Sequence, residues 1–349
     1  MITVLDPTNT KDLDLFYAIG KQVRLKHDFQ ALPWRDDQNI SLFANNPACS
    51  IRLYIAEAGD YIGRIAALHF KDQKEGVIGW YECSASESTS DALLSNATSY
   101  LLKQGCTSVV GPINGDTWNS YRFNLTAEKP IMPGDPYQPA YYVEYWKRFG
   151  FESKVHYQSD TAPTDLFEPM TMEEGQELAT QFNLNVAYYP HKPDAAFTAK
   201  MHQFYLACFE NNPLFNDISL ERYTELTEKL LQIFNPKHSL LVSDREGTPI
   251  AVTLSYEDVY HKLYEEGKLV DSEYATKKLL IKTIATHPEW RNKQIGTLMI
   301  NLVHNLANQS GYDEIYHLLM FKENLSATKG KEKFVTKCVR RYALFSLEL

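Results

Sequence analysis

The segment that most constrains the fold lies between residues 278 and 319, where an apolar run, a helical pattern and a second apolar run follow one another. Residues 278–286 predict a strand, and residues 296–310 predict a helix that is apolar on one side and ends before Gly311. Residues 314–319 predict the next strand. Two strands joined by such a helix pair in parallel through a right-handed crossover. The sequence therefore predicts a sheet with a parallel pair at this point.

The same order of elements occurs in both halves of the chain. A predicted hairpin over residues 51–68, a strand at 77–83, a helix ended by Gly105 and a strand at 107–110 precede a second hairpin at 239–254. A length of 349 residues is typical of two domains. We therefore predict an α/β (α+β) fold of two similar domains, each a mixed central sheet flanked by helices. A proline-containing stretch after residue 160 places the first domain at 1–160 and the second at 161–349.

The loop between the predicted strand and helix of the second domain has the character of an anion site. A helix N-terminus presents unpaired backbone N–H groups and a partial positive charge. Gly296 lets a backbone approach closely, and Arg291 and Lys293 add positive charge beside it. The Gly-Lys-Ser/Thr of a nucleotide-hydrolase loop and the three glycines of a dinucleotide fingerprint do not occur here.

This loop resembles the coenzyme A loop of the GNAT acyltransferases, whose motif reads Arg/Gln-x-x-Gly-x-Gly/Ala. Arg291 and Gly296 fall in register with that motif, while Gln294 occupies its first glycine position. The resemblance covers residues 279–327 and implies acetyl-CoA as co-substrate, no metal, and direct attack of an amine on the thioester. The residues that the resemblance assigns to coenzyme binding are Ile284, Ala285, Thr286, Arg291, Asn292, Lys293, Gln294, Ile295, Gly296, Thr297 and Asn324.

The resemblance identifies the catalytic groups less directly. Family members often carry a tyrosine acid about seven residues after the Asn324 position, but this chain has Lys331 there, which leaves Tyr342 as the candidate acid. Glu257 follows the second hairpin, near where the family places a base. A strand tyrosine in the core and a solvated carboxylate are the alternative interpretations of these two residues.

The first domain lacks an equivalent loop, because residues 84–91 after its strand contain no glycine and no basic residue. It keeps a tyrosine-rich segment before Gly150 and Phe151 that resembles the family's Tyr-x-x-x-Gly-Phe ending, although four residues separate Tyr145 from Gly150. The segment contains Tyr141, Tyr142, Tyr145 and Phe149. We therefore predict a degenerate first domain without a coenzyme site and a catalytic second domain.

Composition limits the partners. The net charge of −9 argues against nucleic-acid binding through the overall field, and five widely spaced cysteines predict neither a disulfide framework nor a zinc site. There is no secretory signal pattern and no run of about 18 apolar residues, so we expect a cytoplasmic protein without membrane contact. The expected partner is a small-molecule or peptide amine. The sequence does not indicate the acceptor's identity, the acyl length or the oligomeric state.

Two other functions are compatible with this pattern. One is a non-catalytic acyl-CoA sensor, which the absence of tyrosine near Lys331 keeps open. The other is a tandem GNAT transferase that takes its amino acid from aminoacyl-tRNA, although such enzymes usually lack this loop and the net charge does not favour tRNA.

Overall fold

The structure, a computed structural model, describes residues 1–25, 38–126, 131–323 and 336–349. It divides into two compact units. Unit 1 comprises Met1–Ile131, Asp135–His156 and Arg341–Leu349, and unit 2 comprises Met132–Gly134 and Tyr157–Arg340.

Unit 1 contains one sheet and the helices that pack on it. In chain order its elements are β1 (Ile2–Leu5), α1 (Thr10–Leu25), α2 (Ile40–Ala44), β2 (Cys49–Ala58), β3 (Tyr61–Phe70), β4 (Glu75–Cys83), α3 (Glu87–Lys103), β5 (Ser108–Gly111), β6 (Phe123–Asn124), α4 (Tyr141–Phe149) and the first part of β7 (Glu152–Pro163).

The sheet of unit 1 is antiparallel from β1 through β4 and parallel between β4 and β5. The β2–β3 hairpin turns at Gly59, whose φ of +62° suits glycine. Helix α3 crosses over between the parallel strands and buries Leu93, Leu94 and Ala97 in an aromatic-rich core. The helix and the sheet each have an apolar face, and the burial of these two faces against each other explains this arrangement.

Unit 2 repeats the plan with additional helices. After β7 its elements are α5 (Met172–Thr180), β8 (Asn185–Tyr188), α6 (Ala195–Phe209), α7 (Leu220–Leu231), β9 (Leu240–Ser243), β10 (Pro249–Glu257), α8 (Val259–Glu265), β11 (Lys278–Thr286), α9 (Ile295–Gln309), β12 (Glu314–Phe321) and the start of β13 (Lys337–Glu348). Short 3₁₀ turns span Pro236–His238, Ser272–Ala275 and Pro288–Trp290.

The sheet of unit 2 runs in the order β8, β9, β10, β11, β12 and the second part of β7. Only β11 and β12 pair in parallel within it, and α9 is the crossover helix between them. The apolar side of α9, including Met299, Leu302 and Val303, is buried against the sheet. The mixed sheets flanked by helices that the sequence predicts are therefore confirmed, with α9 and β11 within one residue of their predicted limits.

The last strand differs from the sequence-based division. Residues 341–349 cluster with unit 1, because β13 pairs antiparallel with β5, Phe345 opposite Gly111 and Leu347 opposite Val109. Residues from Tyr157 onward cluster with unit 2, where β7 pairs with β12. Local sequence patterns do not predict the pairing of two strands, such as β13 and β5, that lie more than 200 residues apart in the chain.

Candidate functional site

The parallel pairing of β11 with β12 stops halfway along both strands. Four residue pairs join them, the last being Ile281 opposite His317. Beyond that point β11 continues to Thr286 and pairs with β10, while β12 continues to Phe321 and pairs with β7. The facing edges of β11 and β12 therefore open into a cleft, whose closed end lies at Ile281 and His317.

Irregularities on both strands lie at this same level. The register between β10 and β11 shifts so that Lys282 is the extra residue of a bulge. On β12 the register with β7 shifts between His317 and Met320, and Leu319 has a φ of +56°. Bulges bend a strand and increase its twist, which separates two neighbours that would otherwise stay paired.

The backbone of β11 beyond the closed end alternates between its two sides. The N–H of His287 donates to the carbonyl of Ile250 on β10 at 2.8 Å. Successive residues of a strand point their N–H and C=O groups in opposite directions. The backbone of Ala285 is therefore directed to β10, and that of Ile284 and Thr286 to the open edge. Of these three predicted coenzyme contacts, Ile284 and Thr286 therefore direct their backbone groups towards the cleft, and Ala285 does not.

The loop after β11 presents a series of unpaired backbone donors. The first hydrogen bond of α9 runs from the N–H of Leu298 to the carbonyl of Gln294 at 3.0 Å. In the described part of the chain, the six N–H groups of residues 292–297 donate to no protein acceptor. Gln294, the N-cap residue, provides no side-chain cap, and the first turn contains no acidic residue. These donors and the helix dipole form a site suited to an anion.

The two glycine positions of the predicted motif differ in their demands on the backbone. Gln294 has a φ of +63°, in the left-handed region that glycine adopts without steric cost, and Asn292 has a φ of +64°. The backbone of Gly296, in contrast, is not in the left-handed region. A Cβ at this position would meet only the Thr286 hydroxyl oxygen, at 3.5 Å. The fold therefore does not require glycine at 296, and the open space above this backbone is available to a ligand.

The two basic side chains of the loop are already engaged by the protein. Arg291 donates through Nη2 to the carbonyl of Cys208 at 2.9 Å and through Nε to the carbonyl of Thr286 at 3.3 Å. It thereby links the end of α6 to the end of β11. The Lys293 ammonium lies 4.2 Å from the centre of the Trp290 ring, in a cation–π contact. Backbone donors therefore contribute more directly to this anion site than either side chain does.

The crossover helix of unit 1 is built differently at the same point. Only residues 84–86 separate β4 from α3, against eight residues between β11 and α9. The Ser86 hydroxyl accepts from the N–H of Thr89 at 3.3 Å, and Glu87 lies in the first turn. A capped helix start with a carboxylate beside it does not favour an anion.

The strand edge of unit 1 is also covered by the protein itself. Parallel pairing of β4 with β5 ends at Val77 and Val110, but the next residues remain in contact. The N–H of Ile113 donates to the carbonyl of Ile78 at 2.8 Å, and the N–H of Trp80 donates to Asn114 Oδ1 at 2.6 Å.

The end of β4 is occupied by tyrosines. The N–H of Cys83 donates to the Tyr142 hydroxyl at 2.8 Å, and the Tyr141 hydroxyl donates to the Cys83 carbonyl at 2.8 Å. The Tyr142 hydroxyl also donates to Glu82, which Arg24 holds in a buried ion pair. The open edge of β11 and the uncapped start of α9 in unit 2 thus correspond to a covered edge of β4 and a capped start of α3 in unit 1.

The two predicted catalytic side chains belong to elements other than the loop. Tyr342 is fully buried in unit 1, where its hydroxyl donates to Asp135 Oδ1 at 2.5 Å, whereas the loop belongs to unit 2. Glu257, at the end of β10, is half-exposed and forms an ion pair with Lys262. It lies opposite Leu279, seven residues along β11 from Thr286. The predicted contact Asn324 lies outside the described residues.

Neither a metal centre nor a membrane span emerges from the described ranges. No cluster of three or more His, Cys, Asp or Glu side chains within them could hold a metal ion. No helix within them combines the length and the apolarity that crossing a bilayer requires.

Comparisons with known proteins match part of the chain to a family and the whole chain to a fold. Residues 198–329, which include α9 and both strands of the cleft, match the Acetyltransferase (GNAT) family. No curated protein matches the chain.

Among solved structures, a tandem GNAT protein from the clavulanic acid biosynthesis pathway has a TM-score of 0.54 at 10% identity, covering 100% of this chain and 98% of that one. A GCN5-related N-acetyltransferase from Anabaena variabilis has a TM-score of 0.52 at 10% identity, covering 99% and 72%.

The glucosamine N-acetyltransferase region of a fungal multi-domain β-N-acetylglucosaminidase has a TM-score of 0.52 at 16% identity, covering 99% of this chain and 38% of that one. Residues 198–329 are therefore a GNAT domain, and the chain has the tandem GNAT fold. The tandem GNAT prediction is confirmed.

Proposed function

We propose that the protein is an acyl-CoA-dependent N-acyltransferase that binds one coenzyme A per chain, in unit 2. The observation that carries the proposal is the row of six unpaired N–H groups at residues 292–297, directly beside the open edge of β11. Pyrophosphate consists of two linked, negatively charged phosphate groups, whose oxygens can accept hydrogen bonds from several N–H groups in such a row. Among the described residues of unit 1, the capped start of α3 and the covered edge of β4 offer no equivalent site.

The residues of unit 2 have distinct roles in this proposal. The N–H groups from Asn292 to Thr297 hold the pyrophosphate, and Gly296 allows it to approach the backbone. The backbone of Ile284 and the N–H of Thr286 pair with the pantetheine arm along the open edge of β11, while the Thr286 carbonyl accepts from Arg291. The thioester then supplies an activated acyl carbon near the closed end of the cleft, where a neutral amine can attack it without an acyl-enzyme intermediate.

The acceptor is proposed to be a small-molecule or peptide amine. One structural relative is a glucosamine N-acetyltransferase region, which gives one precedent for an amine acceptor on this fold. The cytoplasm remains the expected location.

Calorimetric titration with acetyl-CoA and CoA, combined with an assay of free-thiol release, tests the proposal. Polyamines, amino acids, aminoglycosides and peptide N-termini make up the acceptor panel. We expect one coenzyme site per chain and thiol release with at least one class of amine. Absence of coenzyme binding would refute the proposal.

The same two measurements separate the alternatives. Coenzyme binding without thiol release from any amine favours an acyl-CoA sensor. A lack of coenzyme binding together with affinity for aminoacyl-tRNA favours a tRNA-dependent transferase.

The catalytic roles of Tyr342 and Glu257 remain predictions. Tyr342→Phe removes the proton that the phenol donates to Asp135, and Glu257→Gln removes the charge that pairs with Lys262. A lower kcat with unchanged coenzyme affinity would support either role, and full activity would assign the proton transfers to other groups.

A further inference from the structure

The bulge in β12 lies opposite a serine of β7. Between residues 317 and 320 the register of the two strands shifts, so that Leu318 and Leu319 stand opposite Ser159. The N–H of Leu319 donates to the hydroxyl oxygen of Ser159 at 3.0 Å, and Ser159 is fully buried. At this point a side chain therefore takes the place of the backbone acceptor that a regular pair of strands would provide.

Leu319 has a backbone conformation that its side chain disfavours. Its φ of +56° lies in the left-handed region, which glycine alone adopts without steric cost. β7 pairs with β12 on both sides of the bulge, at residues 314–317 and 320–321, so the extra residue has to be accommodated within β12 itself. A strained residue persists only where its surroundings hold it in place. The hydrogen bond to Ser159 is such a restraint.

The direction of this hydrogen bond matters for the cleft. The backbone N–H groups of a strand inside a sheet point either to one neighbouring strand or to the other. β12 has β7 on one side and β11 on the other, and its pairing with β11 ends at His317. Because Ser159 holds the N–H of Leu319 on the β7 side, this donor is not available to β11. The edge of β11 beyond Ile281 is thereby left open to a ligand.

We propose that Ser159 is a positioning residue for coenzyme binding, because its hydroxyl holds the bulge of β12 and keeps the cleft open before the coenzyme arrives. This inference rests on the function proposed above. Without the hydroxyl, Leu319 returns to the extended conformation and its N–H turns to β11, which closes the cleft. A closed chain does not accept the pantetheine arm, so the measured Kd for CoA rises in inverse proportion to the open fraction.

A second serine of unit 2 provides a matched control. Ser239 is also fully buried, and its hydroxyl oxygen accepts from the N–H of Ser255 on β10, again at 3.0 Å. Ser239 immediately precedes β9, so its bond lies on the side of β10 that faces away from β11. Ser239→Ala therefore removes the same kind of hydrogen bond without acting on β12.

A rescue variant separates positioning from general stability. Leu319→Gly removes the steric cost of the left-handed conformation, so the bulge should persist without help from a hydroxyl. Leu319→Gly alone should bind CoA like the parent chain. The same substitution in the Ser159→Ala chain should restore the affinity that the alanine removes.

Calorimetric titration of CoA into the full chain and its variants gives the affinities, and urea denaturation gives their stabilities. We expect Ser159→Ala to weaken CoA binding by about three- to tenfold, which corresponds to one hydrogen bond of ordinary strength. Ser239→Ala should lower the unfolding midpoint to a similar extent and leave the affinity for CoA unchanged.

Unchanged CoA affinity in a folded Ser159→Ala chain would overturn the inference. An equal loss of affinity in Ser239→Ala, or a loss in Ser159→Ala that Leu319→Gly does not restore, would overturn it too, because the effect would then follow from stability in general. If Ser159→Ala does not fold, hydrogen exchange of the parent chain decides. The Leu319 amide should exchange slowly without coenzyme, and fast exchange would contradict the restraint. Failure of the parent chain to bind CoA would instead refute the proposed function itself.

Discussion

Gly296 faces Thr286 with enough room for a methyl group, since a Cβ at 296 would stop 3.5 Å from the threonine hydroxyl oxygen. Gly296→Ala should therefore leave the fold intact and stabilise it by up to about 1 kcal/mol, because glycine is the poorer helix residue. The same methyl group should weaken CoA binding by about 1–3 kcal/mol, the usual range for overpacking. Urea denaturation and calorimetry measure the two effects separately.

Gly311 at the other end of α9 is the matched control. Its φ of +69° makes alanine strained there. Gly311→Ala should lower the free energy of unfolding and leave CoA affinity unchanged. Equal effects of both substitutions on binding would mean that Gly296 has no special relation to the ligand.

Gln294 tests the backbone of the loop. Its φ of +63° costs a non-glycine residue about 1–2 kcal/mol, part of which the lower entropy of the unfolded chain offsets. Gln294→Gly should be neutral or stabilising and should retain CoA binding, whereas Gln294→Val should destabilise the chain. The order of unfolding midpoints is the measurement, and a midpoint for valine above that of glycine would contradict the assigned conformation.

Arg291 should act on stability more than on the ligand. Its guanidinium donates to the carbonyls of Cys208 and Thr286, so Arg291→Ala removes two hydrogen bonds that link α6 to β11. We expect a loss of about 1.5–3 kcal/mol in the free energy of unfolding, the range for a hydrogen bond to a charged group. Thermal unfolding followed by fluorescence checks this. A loss of CoA affinity at full stability would instead indicate direct contact between Arg291 and phosphate.

Acid should destabilise unit 2 through the histidine pair. His304 and His317 have folded pKa values of about 3 and about 4, below the ordinary value of 6.5. Below pH 6.5 the unfolded chain therefore binds protons that the folded chain does not, so stability is lost as the pH falls. Each histidine accounts for about 2 kcal/mol between pH 6.5 and 5.

The pH dependence of urea unfolding measures this effect in variants. His304→Gln should flatten the decline in stability between pH 6.5 and 5. An unchanged slope in His304→Gln would mean that the buried ring titrates normally.

The elements of the cleft could be predicted from the sequence because their signals are local. The apolar run over 278–286, the one-sided helix and Gly311 all lie within neighbouring residues, and periodicity and chain breakers report on such short ranges. The resemblance of Arg291 and Gly296 to the coenzyme A loop of the GNAT acyltransferases then indicates that the candidate site lies at the start of α9.

The features that the sequence does not predict depend on contacts between residues that lie far apart in the chain. The partners of Arg291 include Cys208, which lies 83 residues away, and the pairing of Phe345 with Gly111 spans most of the chain. His304 and His317 are 13 residues apart, on a helix and a strand whose contact no local pattern reveals. Tyr342 was predicted to be in a strand, and only the tertiary pairing shows to which unit that strand belongs.

Calorimetric titration of CoA into the full chain, alongside Gly296→Asp, tests the central claim most directly. The aspartate places a carboxylate where the pyrophosphate is proposed to bind, while the space beside Thr286 allows the fold to persist. We predict one site per chain in the parent protein and no detectable binding in the variant, with circular dichroism unchanged. Two equivalent sites per chain, or undiminished binding in Gly296→Asp, would contradict the account.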